Sequence, residues 1–274
     1  MSVMQPTESI STPMTVSRSR SDDSRINVLM YHSISNEPGP TSIPAEVFRG
    51  QMEILRDCEY NSVSVSDLAS WHAGELELPP RSFVVTFDDG FADFADHAFP
   101  ELQANNFSAT IYIPAAKMGA QEDWAGANAI RRNLLTWRQV ADFAKEGIDF
   151  GSHSLTHCDL TTLETTELRQ ELSQSLSEIE QRLQTTPISF APPYGRSNQR
   201  VREEINNWYR VSVGTRLQHA DRNCDLLDVP RIEMHYFRDL RRWRAYLEGR
   251  ANSYLLARRI GRGVKSLASM NWKY

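Results

Sequence analysis

Cysteine is scarce in this chain: Cys58, Cys158 and Cys224 are the only three in 274 residues, and no two stand in a Cys-x-x-Cys pair. An odd number cannot all pair within one chain, which argues against a disulfide framework or a cysteine-built zinc module and favours reduced thiols. Long hydrophobic runs are missing too. No stretch approaches the roughly 20 consecutive apolar residues of a membrane-spanning helix, and Ile10-Ser11-Thr12-Pro13-Met14 is no secretory h-region. There is no basic excess, with 30 Lys and Arg against 35 Asp and Glu and a net charge of -5. Displacing counterions from phosphates needs such an excess, so no nucleic-acid partner is expected. By default these absences place the chain in the cytoplasm, acting on a neutral or amphoteric substrate.

What is present suffices for one large core, with 40% hydrophobic and 24% charged residues. Ten of the first 24 residues are Ser or Thr, so 1–24 reads as a disordered leader. A catalytic domain is expected over 25–250. From Ala251 to Tyr274 the chain carries Arg258, Arg259, Arg262, Lys265 and Lys273 and no acid. Leu256, Ile260, Val264 and Leu267 recur there at helical spacing. That tail reads as a closing helix or frayed end, with weak contact to an anionic membrane surface as the alternative.

Between these ends, extended and helical patterns alternate in the manner of βα units. Strands are expected at 26–31, 63–65, 83–87, 109–113, 148–150, 189–191, 209–213 and within 226–232. Helices are expected at 45–58, 67–72, 91–103, 137–145, 164–184 and 199–206. The clearest helix has Leu168, Leu172, Leu176, Ile179 and Leu183 on one face, with Thr161 to Glu164 reading as its capping box. Residues 114–135 are irregular and long for a connection, so they read as a lid or groove wall.

Four strand runs end in polar clusters: Tyr31-His32, Asp88-Asp89-Gly90, His153-Ser154-Leu155-Thr156-His157 and Pro192-Pro193-Tyr194-Gly195. Neighbouring side chains on a strand face opposite ways, so Asp88 and Asp89 can serve one site only where the strand ends and Gly90 turns the chain. A β/α barrel builds its active site from such strand ends. Asp89 with His153 and His157 is a three-ligand set for zinc or another divalent ion. That leaves Asp88 as a general base, kept ionised by the nearby cation. Each fragment also has a plain reading. Asp-Asp-Gly is a common turn, His-x-x-x-His arises by chance, and Tyr31-His32 can be a hydrogen-bonded core pair.

Taken together, Thr86-Phe87-Asp88-Asp89-Gly90, His153 to His157 and Phe190-Ala191-Pro192-Pro193-Tyr194-Gly195 resemble the polysaccharide deacetylases, carbohydrate esterase family 4, also called the NodB homology domain. Val28-Leu29-Met30-Tyr31-His32-Ser33 resembles the opening of the exopolysaccharide-deacetylase branch. The resemblance implies an α/β fold, a distorted (β/α)7 barrel over roughly Ile26 to Val213 and extending toward Met234. It implies metal-dependent removal of N-acetyl groups from an acetylated glycan. It also implies Asp89, His153 and His157 as ligands, Asp88 as base, the backbone N–H of Tyr194 as oxyanion donor and His32 as the acid that protonates the leaving amine. His235 is the rival acid. Two positions depart from the family pattern. Ala191 stands where most members carry an arginine that orients the base, and Arg231 at another strand end is the candidate replacement. Pro192 stands where the branch usually has an aromatic residue. Zinc, cobalt, nickel and iron all suit Asp/His₂. The same machinery would serve an O-acetyl esterase or a small cyclic amidase, and an inactive sugar-binding protein is the reading outside enzymes. Tyr112, Trp124, Trp137 and Tyr194 are candidates to stack on sugar rings.

Overall fold

The computed structural model describes residues 25–125, 130–251 and 253–261. The expected leader 1–24 and the last thirteen residues of the expected tail lie outside them. The first half runs β1 (Arg25–Tyr31), α1 (Ala45–Asp57), β2 (Asn61–Ser62), α2 (Val65–His72), β3 (Ser82–Phe87), α3 (Phe99–Asn105) and β4 (Thr110–Ile113). The second half runs α4 (Trp137–Lys145), β5 (Asp149–Ser152), α5 (Thr165–Leu183), β6 (Ser189–Phe190), α6 (Gln199–Ile205), β7 (Val211–Leu217), β8 (Ala220–Asp221), β9 (Val229–Glu233) and α7 (Leu240–Leu247).

Strand β1 pairs with β3, then the sheet continues through β4, β5, β6, β7 and β9 back to β1, every pairing parallel. The result is a closed seven-stranded barrel, the (β/α)7 fold that the family resemblance implies. Two short strands lie outside the ring: β2 extends the start of β3, and β8 pairs antiparallel with the start of β1.

Closure explains the sequence pattern of β3, whose six residues are all buried because one face meets the lumen and the other meets helices. Phe83, Val85 and Phe87 join Leu29, Tyr31, Phe48 of α1 and Phe94 in the layer between barrel and helices. On alternate positions Val28, Val84, Tyr112, Val211, Val213 and Val229 form a second cluster, which fills the lumen. Gly151 makes room for it, since a Cβ there would come within 2.5 Å of the Tyr112 ring.

Three local expectations are corrected. The strand expected at 63–65 occupies Asn61–Ser62, because the Ser64 hydroxyl already accepts the Asp67 N–H and starts α2. The helix expected over 91–103 is split. Pro100 cannot donate to the carbonyl four residues back, and the chain makes a wide π turn at Phe94–Ala98 before α3 begins. The capping box expected at Thr161 to Glu164 lies one turn later. Asp159 takes the Thr161 N–H into a 3₁₀ turn, and Glu167 accepts from the Glu164 N–H at 3.1 Å. Helix α7 is not among the elements expected from the sequence pattern. Its Trp243 is fully buried and donates Nε1–H to the Gln51 carbonyl at 3.2 Å.

Candidate functional site

All four polar clusters meet at the C-terminal end of the barrel. Asp88 leaves β3 with its N–H on the Tyr31 carbonyl, 2.9 Å away, which ties it to the neighbouring strand. Asp89 then takes a left-handed φ of 72° and Gly90 one of 68°, so the chain turns at once and both carboxylates serve the same cavity. Left-handed backbone at a non-glycine residue costs on the order of 1 kcal/mol or more, and Asp89, Ser154, His157 and Tyr194 all adopt it around this one site. Such strain persists because the surroundings fix it. The Ser154 hydroxyl accepts the His157 N–H at 2.9 Å, and Glu171 of α5 accepts from the Leu155 and Thr156 N–H groups and from the Thr156 hydroxyl.

Asp89, His153 and His157 converge, with one donor atom from each lying within 4.8 Å of the others. The Nε2 atoms of His153 and His157 are 3.3 and 3.0 Å from the same oxygen, Asp89 Oδ1. His153 Nδ1 lies 2.6 Å from the Ala191 carbonyl, which can only accept, so that nitrogen carries the proton. Nε2 of neutral His153 then turns a lone pair toward an ionised oxygen, and a proton or a cation must lie between them. Burial pushes the Asp89 carboxyl up, but the bonds from His153 and His157 outweigh it and hold the group well below its ordinary range. Three buried N and O donors with one shared focus fit a divalent ion of the zinc type.

Asp88 is kept out of that set by a different partner. Arg231, 1% exposed on β9, reaches across the lumen and donates Nη1–H and Nη2–H to the two Asp88 oxygens, each at 2.7 Å. The guanidinium is itself held by the Gly214 carbonyl and the Thr86 hydroxyl. Burial raises the Asp88 pKa, while the charge and hydrogen bonds of Arg231 overcome that and leave it below the usual value. His32 faces Asp88 from the end of β1, its Nε2 3.9 Å from Asp88 Oδ2. The cavity above these groups has a volume of about 690 Å³, and His32, Trp124, Arg132 and Tyr194 are among its walls.

The remaining expected residues fall in several places. Tyr194, 51% exposed, stands at the cavity with its edge toward His157. Trp124 stacks on His157, from the irregular segment read as a groove wall. Tyr112 is buried within the barrel and cannot meet a sugar. Trp137 packs under Arg182, outside the residues that line the cavity. His235 sits half-buried in a 3₁₀ turn at Met234–Phe237 and does not line the cavity, whereas His32 does.

Two features escaped sequence reasoning. Asp93 accepts from the Ser33 hydroxyl at 2.5 Å and from the Ile34 N–H at 2.9 Å, clamping the loop that carries His32 to the turn that carries Asp88 and Asp89. Glu122, 1% exposed, pairs with Arg132 at 2.6 Å and stiffens the wall that carries Trp124. Polar residues at loop spacing gave no periodic signal for either.

Known proteins resemble this chain in sequence and fold. A profile of the family described as "Polysaccharide deacetylase" matches residues 75–210. The chain is 25% identical over 213 residues to YxkH of Bacillus subtilis, which carries a polysaccharide deacetylase name, covering 77% of this chain and 71% of that one. It is 28% identical over 137 residues to the poly-beta-1,6-N-acetyl-D-glucosamine N-deacetylase of Escherichia coli K12, covering 46% of this chain but only 20% of that enzyme. Among solved structures, the Streptococcus pyogenes deacetylase PplD in complex with acetate superposes with a TM-score of 0.67 at 23% identity, covering 76% of this chain and 91% of that one. IcaB from Ammonifex degensii gives 0.65 at 20% identity, covering 76% and 91%. The two structures show a shared fold. The family profile, the curated relatives and the strand-end motifs make this chain a member of the polysaccharide deacetylase family, carbohydrate esterase family 4.

Proposed function

We propose that this protein is a metal-dependent hydrolase that removes N-acetyl groups from a polysaccharide or glycan precursor, of the exopolysaccharide-deacetylase type. The observation that carries the reading is the split between neighbouring aspartates. Asp89 is aimed at His153 and His157, and Asp88 is held by Arg231. The name of the E. coli relative supports an N-acetylglucosamine polymer as substrate, and Met30-Tyr31-His32 at the end of β1 supports the branch.

Asp89, His153 and His157 would hold the ion. A divalent cation bound there would lower the pKa of water to about 7 and polarise a carbonyl. Asp88, kept ionised by Arg231, accepts the proton of the attacking water. The Tyr194 N–H donates to the acetyl oxygen as charge develops on it. His32 gives a proton to the departing nitrogen, which leaves as an amine while the acyl group leaves as acetate. Acetate release should be measured on a panel of N- and O-acetylated glycans with zinc, cobalt, nickel and iron. The reading expects release that a chelator stops and Asp88→Asn abolishes. No release from any acetylated substrate, or release indifferent to Asp88→Asn, would overturn it.

A weak contact with an anionic surface is the second part of the proposal. Residues 253–261 are helical, with Leu256 and Ile260 57% and 60% exposed beside Arg258 and Arg259. Co-sedimentation with anionic vesicles that equals that with neutral ones would remove this part.

A further inference from the structure

The two metal-facing histidines are held in unlike ways. His153 has its Nδ1 proton on the Ala191 carbonyl at 2.6 Å, the kind of outer bond that usually orients a ligand imidazole. His157 has nothing comparable: its Nδ1 is buried and has no hydrogen-bond partner among the described residues. Hydrogen bonding fixes its main chain, through Ser154, and its Nε2 faces Asp89, but no hydrogen bond orients the ring from its Nδ1 side.

Contacts from aromatic rings supply what is missing. The Trp124 indole lies flat on the His157 imidazole, with centroids 3.9 Å apart and planes inclined by 22°. Tyr194 closes from another side, edge-on at 4.8 Å and 72°. Both rings pack against the imidazole, and neither asks anything of Nδ1. Tyr194 is 51% exposed, so the firmer of the two supports is Trp124. Its segment is built to stay in place. The Glu122 N–H donates to the Arg132 carbonyl, the Leu134 N–H to the Ala120 carbonyl, and the Arg132 guanidinium stacks 3.8 Å above the Phe91 ring, just after Gly90. The wall that carries Trp124 is thereby fastened to the turn that carries Asp89.

We infer that Trp124 is a positioning residue for His157, holding its Nε2 on the metal by ring stacking where His153 relies on a hydrogen bond. This rests on the metal-binding reading of the site. It makes ion retention depend on residues 114–135, far from any ligand in sequence. It also leaves Trp124 only its outer face and edge for a sugar.

The test is metal affinity, read without turnover. Metal-free wild type, Trp124→Ala, Trp124→Phe and His153→Ala would be titrated with zinc against a chromophoric chelator, with the melting temperature of each metal-free protein as the check on folding. Trp124→Ala is expected to weaken zinc about tenfold or more, in the range for lost outer support of a ligand. Trp124→Phe, which keeps a stacking ring, is expected to recover most of it. Zinc should change the tryptophan emission of wild type, and that change should vanish in Trp124→Phe. If Trp124→Ala binds zinc as tightly as wild type while His153→Ala does not, the positioning role is wrong and the metal site stands. If wild type binds no better than His153→Ala, both fall.

Discussion

Asp88, Asp89 and His153 stand at strand ends and are fixed by bonds to neighbouring barrel elements, whereas His32, Trp124 and Tyr194 face them from loops and are half-buried or exposed. The first group forms a floor. Its geometry follows from strand register, since Asp88 is tied to Tyr31 and Arg231 projects from β9 across the lumen. The second group forms a wall, whose positions depend on loop contacts such as the Asp93 clamp and the Glu122–Arg132 pair. A barrel can thus keep one reaction while its loops change what is admitted.

If that contrast is right, damage to the floor should end activity and damage to the wall should grade it. The largest effect is expected from Asp89→Ala or His153→Ala. Bound metal and acetate release should both be lost with circular dichroism unchanged, and full turnover after metal stripping would break the distinction. Next is His32→Ala, expected to slow amide cleavage by about 10² to 10⁴ and ester cleavage far less, because an alkoxide leaves without the proton that an amine needs. Equal losses on the two substrates would assign His32 a structural role.

Arg231→Met is expected to cost about 3–5 kcal/mol in denaturant unfolding, since it strands the buried Asp88 charge. Adding Asp88→Asn should restore part of that stability and none of the activity, a coupling that a two-residue cycle measures. The smallest effect is expected from Asp93→Ala. Losing two hydrogen bonds to the 33–34 turn should cost about 1–3 kcal/mol, and it should lower amide cleavage by less than His32→Ala does. A loss as large as that of Asp89→Ala would move Asp93 from wall to floor.

The floor was also the legible part. Asp88, Asp89 and His153 each follow a run of buried strand residues, and a side-chain period of two dictates where such residues can meet. Arg231 was reachable because it stands at a strand end while Ala191 carries no charge to hold Asp88. The wall left no comparable trace. Asp93, Glu122 and Glu171 act through bonds to backbone or side chains across 10 to 60 residues of sequence, and such pairings have no period. Element boundaries failed where a side chain competed locally with the pattern, as Ser64 and Asp159 do, or where Pro100 forced a wide turn. Helix α7 was hidden because Leu240-Arg-Arg-Trp-Arg-Ala-Tyr-Leu247 reads as charged, although Trp243, Tyr246 and Leu247 share one buried face.

Anomalous diffraction from crystals grown with zinc, collected at the zinc edge, tests the central claim most directly. The account predicts one strong peak about 2.0–2.2 Å from an Asp89 oxygen and from Nε2 of His153 and His157, with Asp88 still paired to Arg231. A peak that takes Asp88 as a ligand, or lies away from these three side chains, would contradict it.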